Sequence, residues 1–340
     1  YGKTASAIAK KFGNCKIYDD KFTQEESFAS NILLPSSHFK PSDEKCVVSP
    51  GIAPGNALVK AAKNVISDYD LFAPNMPFSI WVSGTNGKTT LSQMLFALMQ
   101  NRGATLGGNI GTPLANLDES AHIWVLETSS FTLHYTKSAS PNIYVLLPIT
   151  PDHIRWHGSF EAYESAKLKP LKTMKEGELA LVPKKYASLP SDAFVVGYET
   201  SEDLAKFFDL DLRRINFSEP FLLDAALALA VTKALFNETN YETINNFAID
   251  PHKLEEFYDA KGRLWVDDSK ATNMDASIQA IKRYQTKRLH LILGGDAKGA
   301  NLSALLDLVA SLDARIYLIG QDANAIFSLC EARSIMANLC

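Results

Sequence analysis

The chain alternates short apolar runs with longer stretches in which apolar residues recur at helical spacing. The apolar runs predict strands at 16–18, 46–48, 79–82, 122–126, 143–149, 179–182, 264–266, 289–293 and 315–319. The helical spacing predicts helices at 5–12, 89–101, 220–235, 274–284 and 302–311. Because apolar strands separated by amphipathic helices are typical of parallel βαβ units, the pattern predicts an α/β fold.

Proline-containing segments divide this pattern. Pro74 and Pro77 precede the strongest strand-loop-helix signal, and Pro251 separates a helical region from a new strand at residue 264. A length of 340 residues also fits two or three domains. We therefore predict domains at 1–76, 77–251 and 252–340.

Composition excludes several classes of protein. Hydrophobic residues make up 46% and charged residues 21%, which excludes a disordered or low-complexity chain, and a net charge of −4 argues against nucleic-acid and anionic-membrane partners. No apolar run reaches the ~18 residues of a membrane span. Four widely spaced cysteines argue against a zinc module and favour the cytoplasm. Since the sequence begins at Tyr1 without a Met, we expect a few leading residues to be missing.

The most specific local motif is GTNGKTT at residues 84–90, which follows a strand and opens a helix. Glycines let backbone N–H groups converge on phosphates, Lys88 can neutralise phosphate charge, and the Thr89 hydroxyl can bind Mg²⁺. Val82 stands where the longer phosphate-loop consensus has its first glycine. The alternative is a glycine-rich turn with a solvated lysine, but an ATP site is the working hypothesis.

Polar residues also follow other predicted strands. Glu127 is a candidate Mg²⁺ ligand or a helix cap, and His153 is a candidate metal or phosphate contact or a structural histidine. Lys167, in a helical pattern, reads by itself as a solvated surface lysine. The segments DDSKATN (267–273) and GGDAKG (294–299) follow two later strands and are weak motifs in isolation.

Together these segments resemble the Mur ligases, ATP-dependent amide ligases of peptidoglycan synthesis. The motifs are the phosphate loop, SPGI (49–52), GNIGTP (108–113), LETSSF (126–131), DSKATN (268–273) and GGDAKG (294–299), in the order of the family. Within the family they point to the D-glutamate-adding branch. The resemblance implies a three-domain α/β architecture with Rossmann-like terminal domains. It implies a monomer that takes ATP, Mg²⁺, UDP-N-acetylmuramoyl-L-alanine and D-glutamate, through an acyl phosphate.

The resemblance also implies roles for individual residues. The implied ATP contacts are Gly84, Thr85, Asn86, Gly87, Lys88, Thr89, Thr90, Asp224, Lys253 and Asp268. The implied UDP-sugar contacts are Lys3, Thr4, Asp19, Asp20, Lys21, Ser49, Gly51, Asn109, Ser129 and His153. Thr272 and Lys298 would contact D-glutamate. The implied metal ligands are Thr89, Glu127, His153 and, if carbamylated, Lys167, and the implied catalytic residues are Lys88, Glu127, His153 and Lys167.

The sequence departs from the family pattern in three places. Only Asp224 keeps a polar group where the family has a His-Asn-x-x-Asn segment, and Lys253 replaces an arginine. The sequence ends at Cys340, before a Ser-Pro-Ala-Cys-Ala-Ser motif, so we expect an incomplete third domain and weak or absent ligation by a chain of this length.

Three other functions stay open from the sequence. One is a different Mur ligase or a folylpolyglutamate synthase-like amide ligase. Another is a P-loop phosphotransferase or ATPase, and the last is a non-catalytic binding fragment.

Overall fold

The computed structural model describes residues 1–295 and 301–340, which form alternating strands and helices. The strands are β1 (Lys16–Asp19), β2 (Glu26–Phe28), β3 (Asn31–Pro35), β4 (Cys46–Val47), β5 (Val65–Ile66), β6 (Phe78–Ser83), β7 (Ala104–Gly108), β8 (Ile123–Glu127), β9 (Ile143–Leu146), β10 (Leu179–Pro183), β11 (Phe194–Tyr198), β12 (Glu255–Tyr258), β13 (Leu264–Asp267), β14 (Leu289–Gly294), β15 (Ala314–Ile319) and β16 (Ala337–Leu339). The helices are α1 (Lys3–Phe12), α2 (Ala57–Ala61), α3 (Asp68–Phe72), α4 (Lys88–Met99), α5 (Ser130–Tyr135), α6 (Ile154–His157), α7 (Phe160–Thr173), α8 (Ser201–Phe208), α9 (Phe221–Phe236), α10 (Tyr241–Asn245), α11 (Met274–Tyr284), α12 (Ser303–Ala310) and α13 (Ala323–Glu331). The predicted α/β class is confirmed.

The chain divides into two compact units, a first unit of residues 1–247 and a second unit of residues 248–340. The three-domain division predicted from the prolines stays a prediction. In the described residues, no helix is both long enough and apolar enough to cross a membrane.

The first unit is built on a six-stranded sheet in the order β11-β10-β9-β6-β8-β7, and all neighbouring strands are parallel. Every residue of β8 and β9 is buried, as are residues 79–83 of β6. Strands that are covered on both faces have no polar face to show, so they read as continuous apolar runs. This is why these three strands could be predicted from the sequence.

Helices α4 and α9 pack against each other beside this sheet. Residues 225–231 of α9 are fully buried, and their alternation of alanine with larger apolar residues allows close helix contact. Helix α7 packs against α5 and β9. Both α4 and α7 carry residues of the candidate site.

The amino-terminal part of the first unit contains a three-stranded sheet, β1-β3-β2, and a parallel pair of β4 and β5. Helix α3 connects it to the loop that precedes β9. The Asp70 carboxylate accepts hydrogen bonds from the backbone N–H groups of Lys137, Ser138 and Ala139 at 2.8–3.1 Å. These bonds hold the pKa of Asp70 below its usual value despite its partial burial.

The second unit contains the parallel strands β14, β15 and β16 and a separate antiparallel pair of β12 and β13. Helices α11, α12 and α13 contribute to one apolar core around the fully buried Leu306, Ile316 and Leu318. Alternate residues of β14 are exposed, and Ile292 is among them.

Every strand and helix predicted from the sequence forms, and the ends are shifted in all of them except α11 (Met274–Tyr284). The largest error is the strand predicted at 143–149, because β9 ends at Leu146. The Leu147 N–H still bonds to Ser83, and the chain then turns at Pro148, which has no N–H. The pattern did not predict strands β2, β3, β5, β7, β11, β12 and β16.

Candidate functional site

The phosphate loop connects β6, near the middle of the sheet, to the amino end of α4. Gly84 has φ 137° and a Cβ there would lie 2.4 Å from the Leu147 Cβ. Gly87 has φ 82° and a Cβ there would lie 2.8 Å from an Asp224 carboxylate oxygen. Both positions therefore need glycine for conformation and for space. The buried Asp224 in the first turn of α9 lies against the loop, although its helix lacks the rest of the family segment.

Lys88 is held within the loop. Its Nζ donates to the Thr85 carbonyl at 2.7 Å, and the Thr85 N–H donates to the Pro148 carbonyl at 3.1 Å. Burial lowers the pKa of Lys88, while the carboxylates of Glu127 and Asp152 oppose that change. The side chain is thus partly buried and bonded, unlike the solvated lysine of the alternative reading.

Glu127 ends β8 and is 3% exposed. One carboxylate oxygen accepts from the Thr89 hydroxyl at 2.7 Å, and the other accepts from the Asn109 amide at 2.6 Å. The next helix, α5, is capped by Ser129, whose hydroxyl accepts from the Thr132 N–H, so the cap predicted for Glu127 belongs to Ser129. The structure therefore brings Thr89, Glu127 and Asn109 into one polar chain at the carboxyl end of the sheet.

Lys167 contradicts the interpretation as a solvated surface lysine. It is 1% exposed, and its Nζ donates to the Gly84 carbonyl at 2.7 Å and lies 3.4 Å from the Ser83 hydroxyl. Burial, and next the Lys88 ammonium, hold the pKa of Lys167 well below its usual range, against the opposing charges of Asp152 and Glu127. The helical pattern placed Lys167 on the correct helix but could not show that this helix turns the lysine inward.

His153 begins the short helix α6 in a left-handed conformation, with φ 53°. Its ring packs against the ring of Phe131, with centroids 4.7 Å apart, and its side chain is 44% exposed. The His153 Nε2 lies 3.6 Å from the Asp152 carboxylate. Sequence reasoning missed Asp152, although its position directly after the same predicted strand end could have indicated it.

An aromatic cluster of Phe131, His134, Trp156, His157 and Tyr163 surrounds this region. Burial, followed by the nearby charges of His134, His153 and Lys167, lowers the pKa of His157 to about 4. Its Nε2 lies 3.0 Å from the Ser130 hydroxyl.

The same cluster contacts the loop that carries Ser49 and Gly51. The Trp156 Nε1 donates to the Gly51 carbonyl at 3.4 Å, and the Tyr135 hydroxyl donates to the Ile52 carbonyl at 2.7 Å. The loop that carries Ser49 and Gly51, two of the implied UDP-sugar contacts, is therefore bonded to Tyr135 and Trp156.

The other predicted UDP-sugar residues lie near the amino end of the chain. Lys3 and Thr4 form the first turn of α1, and Asp19 ends β1. Asp19 accepts from the Lys21 N–H at 2.9 Å, and the terminal amine is ion-paired with it. Its neighbour Asp20 is exposed.

The predicted residues of the second unit are more exposed. Lys253 pairs with Asp250 at 2.9 Å, and Asp268 accepts from the Leu254 N–H at 3.1 Å. Burial raises the pKa of Asp268. Thr272 is exposed, and Lys298 lies outside the described residues.

Other polar residues of the second unit have structural partners. Asn273 caps α11 by accepting from the Ala276 N–H. The ligand atoms of His252, Glu255 and Asp267 lie within 4.8 Å of one another, and the His252 ring bonds to Asp267 at 2.7 Å.

Comparison with known proteins identifies the family. A family model described as the Mur ligase middle domain matches residues 82–194. A UDP-N-acetylmuramoylalanine–D-glutamate ligase of Campylobacter jejuni (strain 81-176) is 46% identical over 346 residues, which cover 100% of this chain and 86% of the relative. A ligase of the same name from Helicobacter pylori (strain HPAG1) is 40% identical, with 100% and 87% of the two chains covered.

Solved structures share the fold. The MurF ligase of Thermotoga maritima, solved in complex with ADP, has a TM-score of 0.57 at 17% identity and covers 88% of this chain and 83% of its own. E. coli FolC in complex with DHPP and ADP has a TM-score of 0.53 at 15% identity, with 81% and 89% covered. Identities this low support the fold alone, whereas the whole-length relatives decide the family. The chain is a ligase of the Mur family, and its whole-length relatives are the UDP-N-acetylmuramoylalanine–D-glutamate ligases.

Proposed function

We propose that the chain joins D-glutamate to UDP-N-acetylmuramoyl-L-alanine and converts ATP to ADP and phosphate. The observation that carries the proposal is the polar chain Thr89–Glu127–Asn109 at the phosphate loop, beside the buried Lys167. A hydroxyl, a carboxylate and an amide thus meet at the end of β8, and an amine lies at the end of the neighbouring strand β6. The 46% identity to a D-glutamate ligase supports the choice of substrates.

In the first step, an oxygen of the alanyl carboxylate attacks the γ-phosphorus of ATP, and the bond to the bridging oxygen of ADP breaks. The products are an acyl phosphate and ADP. Backbone N–H groups of the phosphate loop and the Lys88 ammonium would offset the negative charge that gathers as the carboxylate meets the triphosphate. Lys88 is already oriented by the Thr85 carbonyl, so little reorganisation is needed.

In the second step, the amine of D-glutamate attacks the acyl carbon, and the tetrahedral intermediate releases phosphate to leave an amide. The family resemblance gives Thr272 and Lys298 as contacts of the D-glutamate carboxylates. Holding these carboxylates would orient the amine toward the reacting carbon.

The residues around Glu127 fit Mg²⁺. A hydroxyl oxygen and a buried carboxylate are the oxygen donors that this ion prefers. Thr89, Glu127, His153 and, if carbamylated, Lys167 are the residues that would hold it. When bound, Mg²⁺ would supply positive charge near the phosphates.

Lys167 has the properties that carbamylation requires. Only the neutral form of an amine is nucleophilic, and burial lowers the pKa of Lys167 so that the neutral form is favoured. Addition to CO₂ would form an N–C bond and release a proton, so that a neutral amine becomes an anionic carbamate. We infer that this carbamate, and not the free amine, acts beside Glu127.

We also propose that the protein acts in the cytoplasm and as a monomer.

Phosphate release from ATP tests the proposal, and it is measured with the chain extended at its carboxyl end to the length of its relatives, of which it covers 86%. It is measured with UDP-N-acetylmuramoyl-L-alanine and D-glutamate together, with each one omitted, and with meso-diaminopimelate in place of D-glutamate. We expect release only with both proposed substrates, together with formation of the amide product. Release that is indifferent to both substrates would contradict the ligase proposal and favour a P-loop ATPase.

A further inference from the structure

Helix α7 contacts the phosphate loop at two consecutive residues. The first contact is the hydrogen bond from the Lys167 Nζ to the Gly84 carbonyl. In the second, the Tyr163 hydroxyl lies 3.0 Å from the Thr85 hydroxyl. Tyr163 and Lys167 are four residues apart, so they lie on the same face of the helix, and both are 1% exposed.

The hydrogen bonds around Thr85 show which hydroxyl is the donor. The Thr85 Oγ1 donates to the Thr150 carbonyl at 3.0 Å and accepts from the Thr150 N–H at 2.9 Å. A threonine hydroxyl has one hydrogen and two lone pairs, so its remaining capacity is to accept. The Tyr163 hydroxyl must therefore donate to Thr85, and it stays protonated because burial raises its pKa.

Thr85 is in turn the residue that orients Lys88, through its carbonyl at 2.7 Å. With the Tyr163 bond, all of the hydrogen-bonding capacity of the Thr85 hydroxyl is used. The side chain is thus fixed by α7 on one side and by Thr150, in the loop after β9, on the other. The Thr85 carbonyl, which accepts from Lys88, is held in place together with the Thr85 side chain.

The ring of Tyr163 has a second role. Its centroid lies 4.9 Å from the Lys167 Nζ and 6.2 Å from the centroid of the His153 ring. One side chain therefore contacts the loop residue Thr85 and covers Lys167.

We propose that Tyr163 is a positioning residue that fixes the phosphate loop for the nucleotide, by donating from its hydroxyl to Thr85. The expectations for kcat and KM rest on the proposed function. The expectation for nucleotide binding does not. Because Tyr163 holds Thr85 and not Gly84, the loop keeps an attachment to α7 whatever chemical state Lys167 adopts.

Tyr163→Phe tests the proposal, since it keeps the ring and removes only the hydroxyl. We expect the Kd for ADP and the KM for ATP to rise about 5- to 10-fold, while kcat at saturating ATP stays within about threefold and the KM for the UDP-sugar is unchanged. A destabilised but otherwise normal protein would instead lose active fraction, which lowers kcat without raising the Kd for ADP.

Thr85→Val removes the acceptor of the same bond. If Tyr163 acts on nucleotide binding through its bond to Thr85, Tyr163→Phe in the Thr85→Val background causes little further rise in the Kd for ADP. Two changes to one interaction are not additive. Tyr186→Phe is the matched control, because Tyr186 is also a buried tyrosine and bonds to Glu164 on the same helix. We expect its Kd for ADP to equal that of the unmodified chain.

An unchanged Kd for ADP in Tyr163→Phe would overturn the proposal, as would full additivity with Thr85→Val. If Tyr163→Phe does not fold, Thr85→Val alone must raise the Kd for ADP or the proposal fails. ADP binding needs no UDP-sugar and no D-glutamate. A failure of the proposed ligase reaction therefore leaves this test intact.

Discussion

Glu127 and Asp267 each end a strand, and the surroundings of these two carboxylates differ. Glu127 ends β8 in the first unit, is 3% exposed, and accepts hydrogen bonds from a hydroxyl and an amide. Asp267 ends β13 in the second unit, has a side chain that is 35% exposed, and bonds to the His252 ring and the Ser269 N–H. His252 is the main cause of the lowered pKa of Asp267, about 2.

The difference shows that position at a strand end is not sufficient for a site. The Glu127 carboxylate is buried and bonded to neutral donors, so its charge acts on Lys88 and Lys167, where it partly opposes the lowering of their pKa values by burial. The Asp267 carboxylate is bonded to an imidazole and lies in contact with water, which screens its charge. We therefore expect the reaction to depend on Glu127 far more than on Asp267.

Exchange of the two carboxylates for amides gives the largest expected difference. Glu127→Gln keeps the shape and removes the charge, and we expect kcat/KM for ligation to fall about 1000-fold, because positive charge at the phosphates would no longer be held in place. Phosphate release with saturating substrates measures it.

Asp267→Asn is the control for this prediction, and we expect activity within about threefold of the unmodified chain. Equal losses in the two variants would show that burial does not separate the two carboxylates. Loss of the fold in Glu127→Gln is checked by its melting temperature.

Removal of the buried amine is expected to have the next largest effect. Lys167→Ala should lower kcat about 100-fold, since it deletes the donor to the Gly84 carbonyl and the proposed carbamate. Because the variant leaves space beside Glu127, a short carboxylic acid such as acetate should restore part of the activity if a carboxylate is what Lys167 supplies. Restoration by methylamine but not by acetate would contradict the carbamate and favour the free amine.

The parts of this molecule that could be predicted from sequence share a physical cause. The buried strands β6, β8 and β9 have continuous apolar runs, and the loop at 84–87 needs glycine, so both leave a clear pattern. The site residues were predicted largely from the resemblance to the Mur ligases, which rests on several motifs in the order of the family. Periodicity could not show that Lys167 faces inward, because burial of a lysine depends on tertiary contacts.

Which site residues bond to or act on one another also could not be predicted from the sequence. The bond between Glu127 and Asn109 depends on strands that are neighbours in space, β7 and β8, and β7 was not predicted. The position of Asp152 after a predicted strand could have indicated it, but its electrostatic effect on Lys88 arises only because the loop after β9 lies near the phosphate loop. Chemistry that arises from side chains meeting across a sheet edge is not encoded in any one segment.

A smaller effect is expected at the partner of Glu127. Asn109→Ala removes the amide that bonds to one carboxylate oxygen, without removing the carboxylate. We expect about a 10-fold higher Mg²⁺ concentration for half-maximal phosphate release, because residues that orient a metal ligand typically contribute this much to metal affinity. An unchanged Mg²⁺ dependence with a raised KM for the UDP-sugar would instead indicate that Asn109 acts on the substrate directly.

The smallest expected effect is a difference between the pH ranges over which acid destabilises the two units. The pKa of His157 falls from 6.5 to about 4 on folding, so the unfolded chain takes up the proton first as pH decreases. His157 therefore stabilises the first unit fully above pH 6.5, and this contribution is lost as pH falls from 6.5 to about 4. The pKa of Asp267 falls from 3.8 to about 2, so its contribution to the second unit is lost in the lower window, from 3.8 to about 2.

Deuterium exchange followed peptide by peptide separates the two windows. We expect peptides of β9 and α7 to lose protection first, and those of β13 to lose protection at lower pH. His157→Phe keeps a ring in contact with Phe131 and removes the titrating group, so it should flatten the upper window and leave the lower one unchanged. Asp267→Asn should do the reverse. If His157→Phe left the upper window in place, the acid sensitivity of the first unit would have to come from another group, and the half-buried His157 imidazole would not distinguish the two units.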